Sequence, residues 1–293
     1  LTSLQREANS RFGFSAKATL GLAQALYEKH KVLTYPRTDA RALPEDYVGQ
    51  VQGILTGLPD VFAPFANEIV KRGWVKPNKR IFNNAKISDH FAIIPTGTAP
   101  KSLSEVEAKI YDLVTRRFLA VFYPAAEYRI TTRITRVEGE AFKTEGKILV
   151  NPGWLAVYGK AAAVSEDEGG APQLVAVEAA ETVSTDEILV KALVTKPPAR
   201  FNEATLLSAM EGAGKMVDDE ELRAAMAGRG LGTPATRAQI IENLIGEIYV
   251  IRDGKELIPT AKAFSLITLL RGLGTNELTS PELTGEWEHK LGQ

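Results

Sequence analysis

Apolar positions recur at helical spacing through the first 122 residues, change to strict alternation near residue 125, and return to helical spacing after residue 197. Residues 3 to 29 read as two helices broken near Gly13, with Ser15 as the N-cap of the second and Leu20, Ala23, Leu26 and Tyr27 as its apolar stripe. Pro44, followed by Glu45 and Asp46, opens a helix to about Leu55, and Pro59 opens another to about Lys71. A loop over 72–88 leads to FAIIPTG, a short apolar run that predicts a buried strand. Ser104 with Glu107 three residues on is a capping box, and it predicts a long helix through about Phe122.

From Ala125 the stretch EYRITTRITRVEGEAFKTEGKILV alternates and is rich in β-branched residues, which predicts antiparallel strands turning at VEGEAF. The acidic run SEDEGGAPQ interrupts, and LVAVEAAETVSTDEILVKALVTK predicts further strands up to Lys196. Pro197-Pro198 marks a boundary, beyond which NEATLLSAMEGAG, DDEELRAAMAG and TPATRAQIIENLIGEIYV predict three helices with a short hairpin near Arg252 to Glu256. The expectation is a multidomain α+β protein. It divides into a start segment over 1–14, an α/β domain over 15–124, a β-rich domain over 125–196 and a mainly helical domain over 197–293.

Composition narrows the class. A chain of 293 residues with 44% hydrophobic and 24% charged residues is that of a soluble globular protein, and no run of about 18 apolar residues could span a bilayer. The chain starts at Leu1 without a basic segment and apolar stretch, so a signal peptide is not expected and the sequence reads as an excised piece. With no cysteine, disulfides and thiolate zinc sites are excluded, and three histidines make a structural zinc hard to assemble. The net charge of −1 conceals a split: residues 1–150 carry 22 Lys and Arg against 15 Asp and Glu, and residues 151–293 carry 13 against 21. The basic half can meet a polyanion, and its cations are densest from Lys71 to Lys86.

The richest chemistry lies in VLTYPRTDAR, residues 32–41. Pro36 fixes its own φ and pushes Tyr35 out of the α region, so the run is extended. Tyr35, Arg37 and Asp39 then share one face, while Pro36 and Thr38 face the other way. A phenol needs help to act as a nucleophile. A neighbouring cation favours its anion, and a guanidinium fork can hold the phosphodiester that it attacks. The same residues could equally form a strand aromatic and a surface ion pair. In KISDHFAIIPTG, His90 follows Asp89 and precedes the apolar run, a setting for proton relay or donation to a phosphate. At the start of RGLGTPATRAQIIENL, residues 229–244, Gly230 and Gly232 with the preceding Gly228 lack the spacing and preceding strand of a dinucleotide fingerprint. Thr233 instead caps a helix whose first position is Pro234, with Thr236 and Arg237 near its free N–H groups, which suits a phosphate.

The order and spelling of YPRTDA, SDHFAIIPTG, PPARFNEATLLSAME, GLGTPATRAQIIENL and LTSPELTGEWEHKL resemble the type IA DNA topoisomerases, and the YPRTD, DHxAIIPT, EGAGK and GLGTPATR forms resemble the topoisomerase III branch. The resemblance implies a toroidal core fragment. The 15–124 domain would be its gate, the 125–196 domain part of its hinge and the 197–293 domain part of its single-strand-binding domain. Tyr35 would attack one strand of DNA and form a 5′-phosphotyrosine, and Arg37 would stabilise charge on the phosphate. Asp39 and His90 would lie near the reaction. Thr38, Arg200, Thr233, Thr236 and Arg237 would line the path of the strand. The exchange of one phosphodiester for another requires no ATP, and it would serve relaxation or decatenation.

The family's TOPRIM domain, which supplies an acidic Mg²⁺ site, is not recognisable here, because no lone glutamate followed by an Asp-x-Asp pair appears on alternating strands. The serine that usually follows YPRTD is Ala40, and the second histidine of DHHAIIPT is Phe91. The resemblance thus implies a monomeric, cytoplasmic, nucleoid-associated bacterial isomerase. Its Mg²⁺ would be held outside this sequence, and its partners would include single-stranded DNA, a RecQ-type helicase and a single-strand-binding protein. The piece alone is expected not to cleave. The alternatives are a non-catalytic binding module derived from such an enzyme, a tyrosine recombinase, which Pro36 disfavours by opposing a helix at Tyr35, and a purely structural helical protein.

Overall fold

The computed structural model describes residues 1–159, 174, 178, 180–227 and 229–291. Its first part holds α1 (Thr2–Phe12), α2 (Ala16–Glu28), α3 (Val48–Thr56), α4 (Ala63–Arg72) and α5 (Glu105–Ala120). Local signals set these bounds. Gly13 takes φ 70° and ends α1, and the Ser15 side chain accepts from Ala18 N to start α2, so the two helices meet at a tight corner. A single 3₁₀ turn after Pro44 precedes α3, and one after Pro59 precedes α4. The Ser104–Glu107 capping box opens α5 as expected. Leu26, Leu33, Leu55, Ile69, Ile110 and Leu119 close the core between these helices, each side chain worth about 1.5–3 kcal/mol of burial.

The strand expected over FAIIPTG is a single antiparallel bridge, Leu33 to Pro95, supported by Thr34 N to Ile94 O and Thr96 N to Val32 O, both 3.0 Å. Pro36 and Pro95 lack the N–H groups that would extend a ladder on either side. Two longer strands follow, β1 (Glu127–Val137) and β2 (Glu140–Asn151), paired antiparallel. Glu138 and Gly139 turn between them with φ of 48° and 89°, the doubly positive geometry that a two-residue hairpin loop requires.

Further strands over 174–196 are not found where the chain is described. Residues 180–196 join no strand among the described residues, and Val190, Leu193 and Val194 are 96%, 88% and 89% exposed. An alternating sequence becomes a strand only where an edge accepts its hydrogen bonds, and residues 180–196 are paired to none of the described strands. The acidic stretch at 165–173, most of 174–179 and Gly228 fall outside the described residues.

The last part comprises α6 (Glu203–Glu211), α7 (Glu220–Ala225), α8 (Arg237–Gly246), the hairpin β3 (Val250–Asp253) and β4 (Glu256–Pro259), α9 (Ala261–Gly272) and α10 (Glu282–Leu291). Helix α8 is assigned from Arg237, three residues later than expected, because Pro234 to Thr236 form a turn whose amides at Thr236 and Arg237 both point to Thr233 O. Leu207, Met210, Ala238 and Ile241 form a second core, and Ala16 of α2 is inserted into it. The parts are therefore interlocked. Ala16 N donates to Glu203 Oε2 at 2.6 Å, and Ala204 N to Asn9 Oδ1 at 3.3 Å. No described helix is long and apolar enough to cross a membrane.

Candidate active site

The run from Val32 to Leu43 is extended and lies between two flanking segments. On one side Leu33 meets Pro95. The same segment reaches the far end of the run, where Ala92 N donates to Ala42 O at 3.0 Å; the second segment meets the run at Leu43, whose N donates to Ile81 O at 2.7 Å and whose O accepts from Asn83 N at 2.9 Å. Side chains alternate as Pro36 demands. Pro36 and Thr38 are buried, Arg37 and Asp39 are exposed, and Tyr35 is half-buried.

The Tyr35 ring is held by two others. Its centroid lies 4.3 Å from that of His90 at 45°, and 5.4 Å from that of Tyr27 at 81° in an edge-on contact. Tyr27 comes from α2, so the expected core stripe of that helix also furnishes a wall for the phenol. His90 is fixed through its backbone, where its carbonyl accepts from Thr38 Oγ1 at 2.8 Å. The same hydroxyl accepts from Ala40 N at 3.0 Å. Thr38 is 4% exposed and braces the run against the His90 segment, with its hydroxyl engaged in both directions. Arg37 Nε donates to Gln24 Oε1 at 3.3 Å, which tethers the exposed guanidinium to α2, the helix that also carries Tyr27.

Other residues are placed less directly. Arg37 and Asp39 form no ion pair with each other among the described residues. Asp39 lines a cavity of about 360 Å³ together with Arg41, Arg80, Arg117 and Glu211. Its charge is felt by Arg237, along with that of Glu211. Arg41 NH2 meets Glu211 Oε1 at 3.2 Å, and Arg6 NH1 meets Glu211 Oε2 at 3.9 Å, so the end of α6 is bound to the end of the run.

Arg237 is 2% exposed. Its Nε donates to Leu231 O at 3.0 Å, NH1 to Thr2 Oγ1 at 3.0 Å, and NH2 to Gly232 O at 3.0 Å and to Arg229 O. Burial pushes its guanidinium below the usual arginine range. These donors fold the GLGT loop onto α1, and Arg237 presents no free fork to solvent. Thr233 and Thr236 are partners of each other, with Thr233 N donating to Thr236 Oγ1 at 2.8 Å and the two hydroxyls 3.2 Å apart. Both remain exposed at the turn that opens α8. Arg200 is an exposed residue whose Nε lies 3.8 Å from Glu256 Oε2, alongside the hairpin.

The structure thus brings Tyr35, Arg37 and His90 to one surface with Thr38 beneath them, and it sets Asp39 and Arg237 at the junction with α6 and α8. Sequence reading missed Gln24, Tyr27, Glu203 and Glu211. Tyr27 and Gln24 stand three apart on α2, a spacing that puts them on one face, but nothing in the sequence says that the face meets residue 35. No group of three or more His, Cys, Asp or Glu that could hold a metal ion occurs among the described residues.

Comparisons with known proteins agree with each other. A family model described as DNA topoisomerase matches residues 1–293. DNA topoisomerase 3 of Bacillus subtilis (strain 168) is 44% identical over 298 residues, and DNA topoisomerase 3 of Bacillus licheniformis is 44% identical over 297. Each alignment covers 99% of this chain but 40% of the relative, so the chain spans less than half the length of these proteins. Full-length topoisomerase I from Thermotoga maritima superposes with a TM-score of 0.63 at 23% identity, covering 99% of this chain and 44% of that one.

Proposed function

The chain belongs to the type IA DNA topoisomerases, in their topoisomerase III-like branch, and from that premise we propose that it is the gate-bearing and strand-holding part of an enzyme that changes DNA topology through Tyr35. The supporting observation is the placement of Tyr35: a half-buried phenol held between His90 and Tyr27, with Arg37 on the same open face. The phenol oxygen attacks a backbone phosphorus of a single strand. An O–P bond forms to tyrosine as the phenol gives up its proton, the bond from phosphorus to the 3′ oxygen breaks, and the departing 3′ oxygen takes up a proton to leave as a hydroxyl. Religation is the reverse attack, so bond energy is conserved and ATP is not consumed. Arg37 offsets charge on the phosphate, and His90 donates to it.

The remaining assignments follow the family pattern. Residues 15–124 act as the gate, 125–196 contribute to the hinge on which it lifts, and 197–293 hold the strand. Thr233 and Thr236 face the strand, Arg200 flanks it, and Arg237 acts from beneath by fixing the GLGT loop. Thr38 and Asp39 position the run and do not touch the phosphate. The enzyme works in the cytoplasm on single-stranded regions of the nucleoid. A RecQ-type helicase would expose such regions, and a single-strand-binding protein would hold them. Mg²⁺ is supplied from outside these residues, so the chain alone binds single strands without cleaving them.

The test is Tyr35→Phe in a complete protein carrying this sequence. Loss of both relaxation and the covalent 5′ adduct is expected, and normal relaxation by the variant would end the assignment. The isolated chain, incubated with a single strand and Mg²⁺, should form no covalent adduct, and finding one would overturn the claim of dependence on another domain.

A further inference from the structure

We propose that the cationic loop at 71–86, together with the last turn of α4, is a second phosphate-binding surface that grips the backbone of the single strand beyond the Tyr35 site. The proposal rests on the reading of the chain as a strand-cleaving protein. It adds a contact surface that the cleavage chemistry itself does not need.

The sixteen residues KRGWVKPNKRIFNNAK contain Lys71, Arg72, Lys76, Lys79, Arg80 and Lys86, with no carboxylate among them. All six are exposed. Lys79 is paired with Glu45 at 2.6 Å, whereas Lys71, Arg72, Lys76, Arg80 and Lys86 form no ion pair among the described residues. A solvated run of like charge repels itself and frays. This one is instead held in a fixed shape. Asn78 O accepts from Ile81 N and Phe82 N at 2.9 and 2.7 Å, Asn83 Nδ2 donates to Lys79 O at 3.2 Å, and Phe82 is 2% exposed in the core. Glu45 fastens the loop twice more, through its own N to Asn84 Oδ1 at 3.1 Å and through Oε1 to Asn84 N at 3.3 Å. Glu45 is therefore committed to holding the loop and forms no ion pair with its other cations among the described residues.

Position supplies the second argument. The loop is bonded to the reactive run at Leu43 and continues through Ser88 and Asp89 to His90, whose ring lies against Tyr35. A strand whose phosphate sits at Tyr35 and His90 meets, on the segment that leads into His90, a loop whose exposed cations are mostly without ion-pair partners among the described residues. Such an array matches a polyanion with regularly repeated charge, recognised through phosphate and without regard to base sequence.

The test is fluorescence anisotropy of a labelled single-stranded oligonucleotide with the full chain over a range of salt. Wild type is compared with the quadruple variant Lys71→Gln, Lys76→Gln, Arg80→Gln, Lys86→Gln, and with a charge-matched control that neutralises the exposed Lys17, Lys191, Lys196 and Lys255 instead. Each lost phosphate contact should flatten the slope of log affinity against log salt by about 0.7, so the loop variant should lose about 2–3 in slope and the control much less. Equal losses in the two variants would reduce the effect to net charge and overturn the proposal. An unchanged slope in the loop variant, with wild type binding the strand, would overturn it while leaving the Tyr35 reading intact. If wild type binds no single strand even at low salt, both fall.

Discussion

Glu203→Ala is expected to loosen the junction between α2 and the C-terminal helices by about 2–4 kcal/mol. Glu203 is 5% exposed at the first turn of α6. One carboxylate oxygen accepts from Ala16 N at 2.6 Å, and the other meets Arg252, with Nε at 2.9 Å and NH2 at 2.8 Å. Removing the side chain leaves Ala16 N buried without an acceptor, which costs about 1–3 kcal/mol. Breaking a fully buried ion pair would add about 3–5 kcal/mol. Arg252, however, is 37% exposed and keeps Glu242 at 2.6 Å, so about 1 kcal/mol is the larger part of what can be lost there. Glu203→Gln retains an acceptor for Ala16 N at nearly the same volume and should lose only about 1 kcal/mol, from the weaker bond to Arg252. Urea denaturation of wild type, both variants, Arg252→Ala and the double variants closes the cycle. If Glu203→Ala lies within about 0.5 kcal/mol of wild type, or if glutamine is as damaging as alanine, the carboxylate is not what holds α2 to α6.

Three other outcomes follow from particular contacts. Thr38→Val removes the hydroxyl that joins His90 O to Ala40 N and should cost about 1–3 kcal/mol in denaturation, with altered His90 ring resonances; unchanged resonances would show that Thr38 does not position the histidine. Gly230→Ala places a Cβ 2.2 Å from Met210 O and 2.6 Å from Glu211 O at φ 68°, so it should destabilise the chain by at least about 2 kcal/mol in the same assay, and a neutral effect would mean that the GLGT loop yields freely. Glu107, held by Ser104 and then by His30, has its carboxyl lowered to about 2 from 4.5. A depressed folded-state value gives stability that is complete above the unfolded value and fades as pH falls toward 2, so the melting difference between wild type and Glu107→Gln should be largest near neutrality and shrink below pH 4.5. A difference that grows on acidification would contradict this.

What the sequence determined by itself is local. The Ser15 and Ser104 caps, the Gly13 stop, the Glu138-Gly139 turn and the alternation imposed by Pro36 each involve residues within a few positions of one another, so backbone sterics and nearby hydrogen bonds decide them. Hence Tyr35 and Arg37 could be placed on one face before any tertiary contact was known. What only the tertiary structure decided depends on partners far along the chain. Arg237 looks like a phosphate reader beside a helix start, yet its guanidinium turns inward to Thr2, 235 positions away, and to the carbonyls of its own loop. Asp39 shares a face with Arg37 but lies toward Arg237 and Glu211, since the run is bound to α6 by Arg41. The alternation at 180–196 satisfies the period of a strand and makes none, because a strand needs an edge as well as a pattern. Burial of Glu203 could not be read from its neighbours either, for its partner amide at Ala16 is 187 residues away, and only the packing of α2 into the second core brings the two together.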